Sequence, residues 1–519
     1  MNTPTGAPTG EGRRLPDPAA VVAADRILAE RPEVARWRWV VGERTTALLV
    51  TGTDDTGVPP AAQPSRPSSP TGSAAVAADA AVEGEDLEAL PGFMRLLDET
   101  ALLSMARTLD RARLFRAGAA HTAEEVVVRL EARPRHAWIV RRWLGTLVAE
   151  GRLRRDPDTG RFHGLDVPDR AAVARSRRMV EEGSRGLGYP PAMTRFFLAS
   201  ADRLPLLLRD RAALQELLFP EGDAATARGN YRDSAPSRWA NTAAAELVAG
   251  RVRPGAREPL RVLEVGAGVG GTTGAVLDAL AGAPVDYLFT DVSRYFLGEG
   301  RALFGKRLRY GLFDIDADPA AQGLTDGSLD VVLAANVLHN ARHVGRALAA
   351  LRELLLPGGL LVLVESCGEH HQALTSMYFL MSARPGERTW FTDLRAGEDR
   401  VFLTGEEWAR ELDAAGFDPL PVLPDTAHPL ARAAGQRVVA GRARAGARRP
   451  DPEVLAAALG PVMGADLPDR IHAVDRLDPA PPPGGSGRRP GATTGPTGLR
   501  TAPADSDRTH GRHPRTTPN

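Results

Sequence analysis

A single cysteine, Cys367, stands in a chain of 519 residues. One thiol excludes an intramolecular disulfide framework and fits a reducing cytoplasm as the expected compartment. Net charge is lacking too, since 65 basic side chains balance 65 acidic ones. No global field therefore argues for nucleic acid or an anionic membrane as a partner. No apolar run reaches the roughly 18 residues of a membrane span, and the polar, Pro/Gly-rich N-terminus has no apolar signal core. What the chain does have is apolar bulk. At 43% hydrophobic residues it can build real cores, and its length predicts about two to four domains.

Read in order, residues 1–18 are expected to be a disordered leader and 19–55 a small helix–strand–strand segment. Residues 56–85, rich in Pro, Ser, Ala and Gly, read as a flexible linker. From 86 to 250 the pattern is helical. His121–Glu131 is one amphipathic helix, Pro134 breaks it, and Ala137–Glu150 is another. Gly151–Arg155, a Pro-Asp-Thr-Gly turn and Arg161–His163 then outline a two-stranded wing. Arg141, Arg142, Arg152, Arg154 and Arg155 would suit phosphate contacts, while Trp138 and Trp143 read as core rather than base-stacking residues. Residues 251–445 alternate strand and helix, so the expected fold class is α/β: a Rossmann-like doubly wound parallel sheet preceded by a winged-helix-like helical domain. A short helical segment is expected over 446–479, and a Pro/Gly/Arg/Thr-rich disordered tail over 480–519.

The sheet region opens on Arg261-Val-Leu-Glu-Val-Gly-Ala-Gly-Val-Gly-Gly-Thr-Thr273, a short buried strand, a glycine turn and a helix start. Glycine lets the backbone take positive φ and approach a ligand closely, and the helix start offers free N–H groups. The spelling is ambiguous by itself. Gly266, Gly268 and Gly271 spell the dinucleotide fingerprint, whereas Gly266, Gly268 and Gly270 spell G-x-G-x-G.

Acids follow at the ends of successive strands. Asp286–Asp291 is a second strand whose terminal Asp291, about 20–25 residues past the glycines, suits a ribose diol. Gly311–Asp316 is a third, with Asp314 placed to reach an adenine amino group and Ile315 beside it. Leu329–Asn340 is a fourth strand running into a loop that carries Asn336 and His339. Pro357-Gly-Gly precedes a fifth, Leu360–Glu365. Acids gathered at strand C-termini lie on the ligand side of such a sheet.

This ordered set is similar to class I S-adenosylmethionine methyltransferases. More narrowly, it resembles the C-methyltransferase domains of polyketide synthases and mixed polyketide–peptide assembly lines. The shared runs are Val262–Thr273, Phe289–Ser293, Phe313-Asp-Ile, Gln322-Gly and Ala335–His339, with Leu218–Gly222 and Tyr231-x-Asp-Ser…Asn241 upstream. The resemblance covers roughly residues 190–440. It implies S-adenosyl-L-methionine as cofactor, with Glu264, Gly266, Gly268, Gly270, Asp291, Asp314, Ile315 and Asn336 around it. It also implies His339, paired with Glu365, as the base that makes an enolate. Tyr231 is then near the substrate as a further catalytic group, and Asn241 is a weaker substrate contact that a helix N-cap explains equally well. Strands four and five are neighbours in this order, about 4.8 Å apart, so residues just past their ends can touch.

By the same resemblance the partner is an acyl or peptidyl carrier protein bearing a thioester, or a free small molecule. By analogy, the winged-helix module serves dimerisation and lids the substrate, and no nucleic acid or membrane partner is implied. The flanks, Ala24–Val34 with its strands and Asp466–Asp478, resemble degenerate pieces of the small C-terminal subdomain of adenylation enzymes, without its catalytic lysine. Three rivals stay open: the same fold methylating O, N or S, a winged-helix regulator or inactive binding scaffold, and, on the glycine spelling alone, an NAD oxidoreductase. His370 and His371 lack the companions of a metal site, so no metal is expected, and Cys367 reads as incidental.

Overall fold

The computed structural model describes residues 18–29, 34–41, 46–52, 70–253, 255, 257–383, 391–444, 452–463, 470–473 and 500–501. The chain divides into two units, one built from residues 1–63 and 445–519 and the other from 64–444. Among the expectations above, residues 1–17 of the leader, 56–69 of the linker and nearly all of the tail lie outside the described residues.

The smaller unit joins segments that the sequence presents as separate. Strands Val34–Val41 and Thr46–Gly52 pair antiparallel, and Arg470–Ala473 adds to Thr46–Gly52 in parallel. Arg500–Thr501 pairs with Val40–Val41 on the other edge. Helices Pro18–Ala29 and Pro452–Met463 bury Ala24, Leu28, Leu455, Leu459 and Met463.

In the larger unit the expected linker needs correction, because Pro70–Ala80 is a helix that buries Thr71, Ala74 and Ala78. Its alanines carry helix propensity without the bulk that makes an apolar stripe visible in a sequence. They seat this helix on Ala235–Ala249, a helix that is itself alanine-rich. The long helix Leu90–Arg111 turns Leu90, Phe93, Met94, Leu97, Ala101, Met105 and Leu109 inward at helical spacing. Ala123–Arg129 starts in a capping box, with Thr122 and Glu125 each accepting from the other's backbone N–H. Ala137–Ala149 follows, and Arg154–Arg155 pairs antiparallel with Phe162–His163 as the wing.

The arginines of this module are largely engaged in ion pairs. Arg141 pairs with Asp399 through two contacts of 2.7 and 2.6 Å, Arg142 meets Glu369, and Arg152 meets Glu99 at 2.6 Å. Trp143 is fully buried and donates to the Leu374 carbonyl, and Trp138 donates to Ser382.

Seven strands form the main sheet: β1 Leu260–Val265, β2 Val285–Asp291, β3 Arg309–Leu312, β4 Leu329–Ala335, β5 Leu355–Ser366, β6 Phe417–Pro419 and β7 Gln436–Ala443. Their spatial order is β6-β7-β5-β4-β1-β2-β3. β1 to β5 run parallel, whereas β7 lies antiparallel to β5 and β6 antiparallel to β7. β4 is apolar almost throughout because helices cover both faces. β3 begins and ends earlier than the sequence suggests, so Phe313–Asp316 is a turn beyond it rather than strand. The C-terminal ends of β1, β2, β4 and β5 open toward one side, where the site lies.

Candidate active site

In the glycine turn both spellings fall on constrained glycines. Gly266, Gly268 and Gly270 take φ of 63°, 54° and 73°, which favours glycine at each. Gly271 instead begins the helix Gly271–Ala279 and is tight for another reason: a Cβ there would stand 2.6 Å from the Tyr231 carbonyl oxygen. At Gly268 a Cβ would meet nothing nearer than 3.9 Å. The loop is thus open where backbone must approach a ligand and closed where it packs on protein. This cradle fits a nucleoside-bearing cofactor.

Asp291 ends β2 and accepts from Gly268 N at 3.0 Å and Ser293 N at 2.8 Å, tying the second acid to the glycine loop. Burial raises its carboxyl above its ordinary range against those two N–H groups. Glu264 on β1 is 1% exposed and accepts from Thr273 Oγ1 at 2.6 Å and Tyr287 OH at 2.7 Å. Desolvation pushes its carboxyl up to about 7. Asp314 sits half-buried in the turn after β3, which Gln322 closes by accepting from Asp314 N at 2.8 Å and donating to its carbonyl at 3.0 Å. Ile315 packs on the apolar core beneath.

Beside the glycine loop lies a cavity shared between the helical region and the sheet. Tyr189, Met193, Phe196 and Tyr231 line one side, and Asn336, His339, Ser366, Phe402 and Gln436 the other. His339 and Glu365 meet in its floor. His339 Nδ1 lies 2.6 Å from Glu365 Oε2, and both residues are buried. The other carboxylate oxygen accepts from Val337 N at 3.1 Å and Leu338 N at 2.7 Å, so Glu365 holds the turn that carries the histidine as well as its ring. With Nδ1–H given to the carboxylate, Nε2 keeps a lone pair, 3.2 Å from Asn340 Nδ2. The Phe402 ring stands edge-on to the imidazole, 5.1 Å between centroids.

Asn336 directly follows β4 at φ 57°, a left-handed conformation that costs most residues and asparagine least. Tyr231 lies in a π-helical turn, Gly229–Asp233, and burial pushes its phenol up to about 12, so it is a neutral hydrogen-bond donor at physiological pH. Asn241 departs from expectation twice. It sits inside the helix Ala235–Ala249 rather than at its cap, and it does not line the cavity. Its amide donates to the Tyr231 carbonyl at 2.9 Å and accepts from Thr272 Oγ1 at 2.7 Å. It therefore fastens the tyrosine turn to the cofactor-side helix.

Arg395 is a residue that sequence reasoning missed. Fully buried, it donates to the carbonyls of His339 at 2.7 Å, Ala341 at 2.8 Å and Val401 at 2.8 Å, and pairs with Asp393 at 2.6 Å. His370 faces Asp98 at 3.3 Å and His371 faces Glu150 at 3.2 Å. Burial and the Glu365 charge push the Cys367 thiol up to about 12.

Residues 263–361 match the family model of a methyltransferase domain. Pyochelin synthetase PchF of Pseudomonas aeruginosa is 30% identical over 403 residues, 75% of this chain and 21% of that protein. Polyketide synthase ThaG of Burkholderia thailandensis is 41% identical over 174 residues, 32% of this chain and 3% of its own. The chain thus spans about a fifth or less of these relatives. Among solved structures, the DszA carbon methyltransferase superposes with a TM-score of 0.61 at 26% identity, covering 71% of this chain and 93% of that one. The CurJ carbon methyltransferase does so with 0.64 at 24%, covering 72% and 98%, a likeness of fold. Fold and family model agree, and the chain carries a class I S-adenosylmethionine-dependent methyltransferase domain resembling the carbon-methyltransferase domains of polyketide synthases.

Proposed function

We propose that the chain methylates the α carbon of a β-ketoacyl or related thioester carried on an acyl or peptidyl carrier protein, in polyketide or nonribosomal-peptide biosynthesis. The observation that carries this reading is the buried His339–Glu365 contact in the floor of a cavity that adjoins the glycine loop. Transfer to carbon needs a base, and an imidazole whose Nδ1 is held by a carboxylate presents Nε2 as one once a substrate displaces the long Asn340 contact.

In this reading His339 Nε2 takes the proton from the carbon between the two carbonyls. The C–H electron pair moves into the enolate and Glu365 stabilises the imidazolium. S-adenosylmethionine, when bound, would supply the methyl to that carbon and keep the S–CH3 electron pair as the neutral thioether, giving the α-methylated thioester. Gly266, Gly268, Gly270 and Asp291 would hold the donor, with Glu264, Asp314, Ile315 and Asn336 around it, and Tyr231 would steady the substrate. Base catalysis supplies about 10²–10⁴-fold, and alignment of the methyl with the carbon much of the rest.

The test is incubation with S-adenosylmethionine and a β-ketoacyl thioester, followed by mass, with His339→Ala alongside. An α-methylated product that disappears in the variant supports the reading. No product, or product indifferent to the substitution, moves the acceptor to oxygen, nitrogen or sulfur.

A further inference from the structure

Gln436 opens β7, directly across from Ser366 of β5, and lines the cavity together with Asn336 and His339. Among the described residues its side chain makes one hydrogen bond, a long one of 3.5 Å from Nε2 to Asn336 Oδ1. The partner, Asn336, is held at φ 57°, a left-handed conformation that asparagine tolerates, with its N–H fixed on the Val364 carbonyl at 2.6 Å. Here it brings the Asn336 carboxamide oxygen to the Gln436 carboxamide nitrogen. Nε2 carries two hydrogens, so its second N–H is left for an acceptor within the cavity. Polar side chains line the cavity beside Met193, Met377 and Phe196, among them Asn230, Tyr231 and Ser366, but among the described residues none accepts from that second N–H. Gln436 is half-buried, and this N–H is available to a ligand in the cavity.

The proposed reaction supplies that acceptor. Removing a proton from the α carbon places negative charge on a carbonyl oxygen, and a donor that cannot itself titrate away is suited to receive it. We propose that Gln436, oriented by Asn336, donates its free N–H to the carbonyl oxygen on which enolate charge develops, so that this carbonyl faces β7 while the α carbon faces His339. This inference rests on the carbon-methylation reading. It adds a positioned oxyanion donor on a strand that the glycine loop and the acids of β1 and β2 do not reach.

The experiment uses the full chain and two variants, Gln436→Met, which keeps the volume, and Gln436→Glu, which puts a negative charge where the enolate forms. Three quantities are measured: α-deuterium exchange into a β-ketoacyl thioester in D2O without S-adenosylmethionine, kcat and KM for methylation, and S-adenosylhomocysteine affinity by calorimetry. Loss of one oxyanion donor is expected to lower exchange and kcat together by about 10²–10³-fold. Gln436→Glu should be the worse of the two, and S-adenosylhomocysteine should bind within about twofold of wild type in both, which also reports that the fold is intact. Exchange and kcat at wild-type levels in Gln436→Met, a change confined to KM, or Gln436→Glu outperforming Gln436→Met would overturn the assignment of Gln436 alone. A wild-type chain that neither exchanges nor methylates the thioester would instead overturn the carbon-methylation reading beneath it.

Discussion

Replacing Glu365 by glutamine exchanges one oxygen for an NH2 and so forces a choice on the buried site. As carboxylate, one oxygen accepts from Val337 N and Leu338 N and the other from His339 Nδ1. Glutamine has one acceptor for these donors. If its oxygen turns to the imidazole, its NH2 confronts two buried backbone N–H groups, at about 1–3 kcal/mol for each group left unsatisfied. If its oxygen stays with the backbone, the NH2 faces Nδ1 and only the imidazole has to adapt, by moving its proton to Nε2. The second arrangement wins, and it removes the lone pair from the nitrogen that faces the cavity. Loss of the correct tautomer, together with loss of imidazolium stabilisation, should lower kcat by about 10³–10⁴-fold, or about 4–5.5 kcal/mol. KM and melting temperature should change little, because the backbone contacts survive. Single-turnover methylation by mass and α-proton exchange are the two assays of the chemical step, with a substrate titration for KM and a thermal melt for stability. A Glu365→Gln enzyme within about tenfold of wild type in both assays would refute the argument.

Other substitutions test the cofactor side and the scaffold. The Glu264 carboxyl, with an ordinary value of 4.5, is pushed up to about 7, so between those values the native state keeps a proton that the unfolded chain releases. The native state therefore loses stability as pH rises from 4.5 through 7, by on the order of 3 kcal/mol, and Glu264→Gln should flatten this fall. Equal losses of melting temperature between pH 5 and pH 8 in wild type and variant would contradict it. Gly268→Ala places its methyl in open space at a positive φ, which should cost about 1–2 kcal/mol of stability but weaken S-adenosylhomocysteine more than tenfold by calorimetry. Gly271→Ala drives its methyl against the Tyr231 carbonyl and should lower the melting temperature more than Gly268→Ala does. Arg395→Met strips the buried Asp393 of its guanidinium and three carbonyls of their donor, a loss of about 3–5 kcal/mol in denaturant unfolding. Removing Asp393 in the same chain should recover part of it.

The sequence announced the His339–Glu365 contact better than its frame. His339 and Glu365 are 26 residues apart, but each follows an apolar strand, and the neighbouring of those strands is implied by the alternation of strand and helix. The three positive-φ glycines are legible for a similar reason, since only glycine takes that conformation freely. Arg395 left no such trace, because its partners are mostly backbone carbonyls, which any residue could supply. Gln436 stands at the start of an antiparallel strand, and its partner across the cavity, Asn336, is 100 residues away. Asn241 was visible as a residue but not as a brace, since its two partners come from different segments. The helix Pro70–Ala80 was hidden in alanine and serine, which read alike in linkers and in tightly packed helices.

The pairing of Thr46–Gly52 with Arg470–Ala473 has a consequence in time. The partner strand leaves the ribosome about 420 residues after the first, a delay of about 20–80 s at ordinary elongation rates. All seven strands of the main sheet lie within residues 64–444 and can assemble during that delay, whereas the early hairpin waits with an unfilled edge. Slow or interrupted synthesis should therefore endanger the small unit before the catalytic one, and nascent chains stalled once residue 444 has cleared the ribosome should hold a folded main sheet while the small sheet is still incomplete.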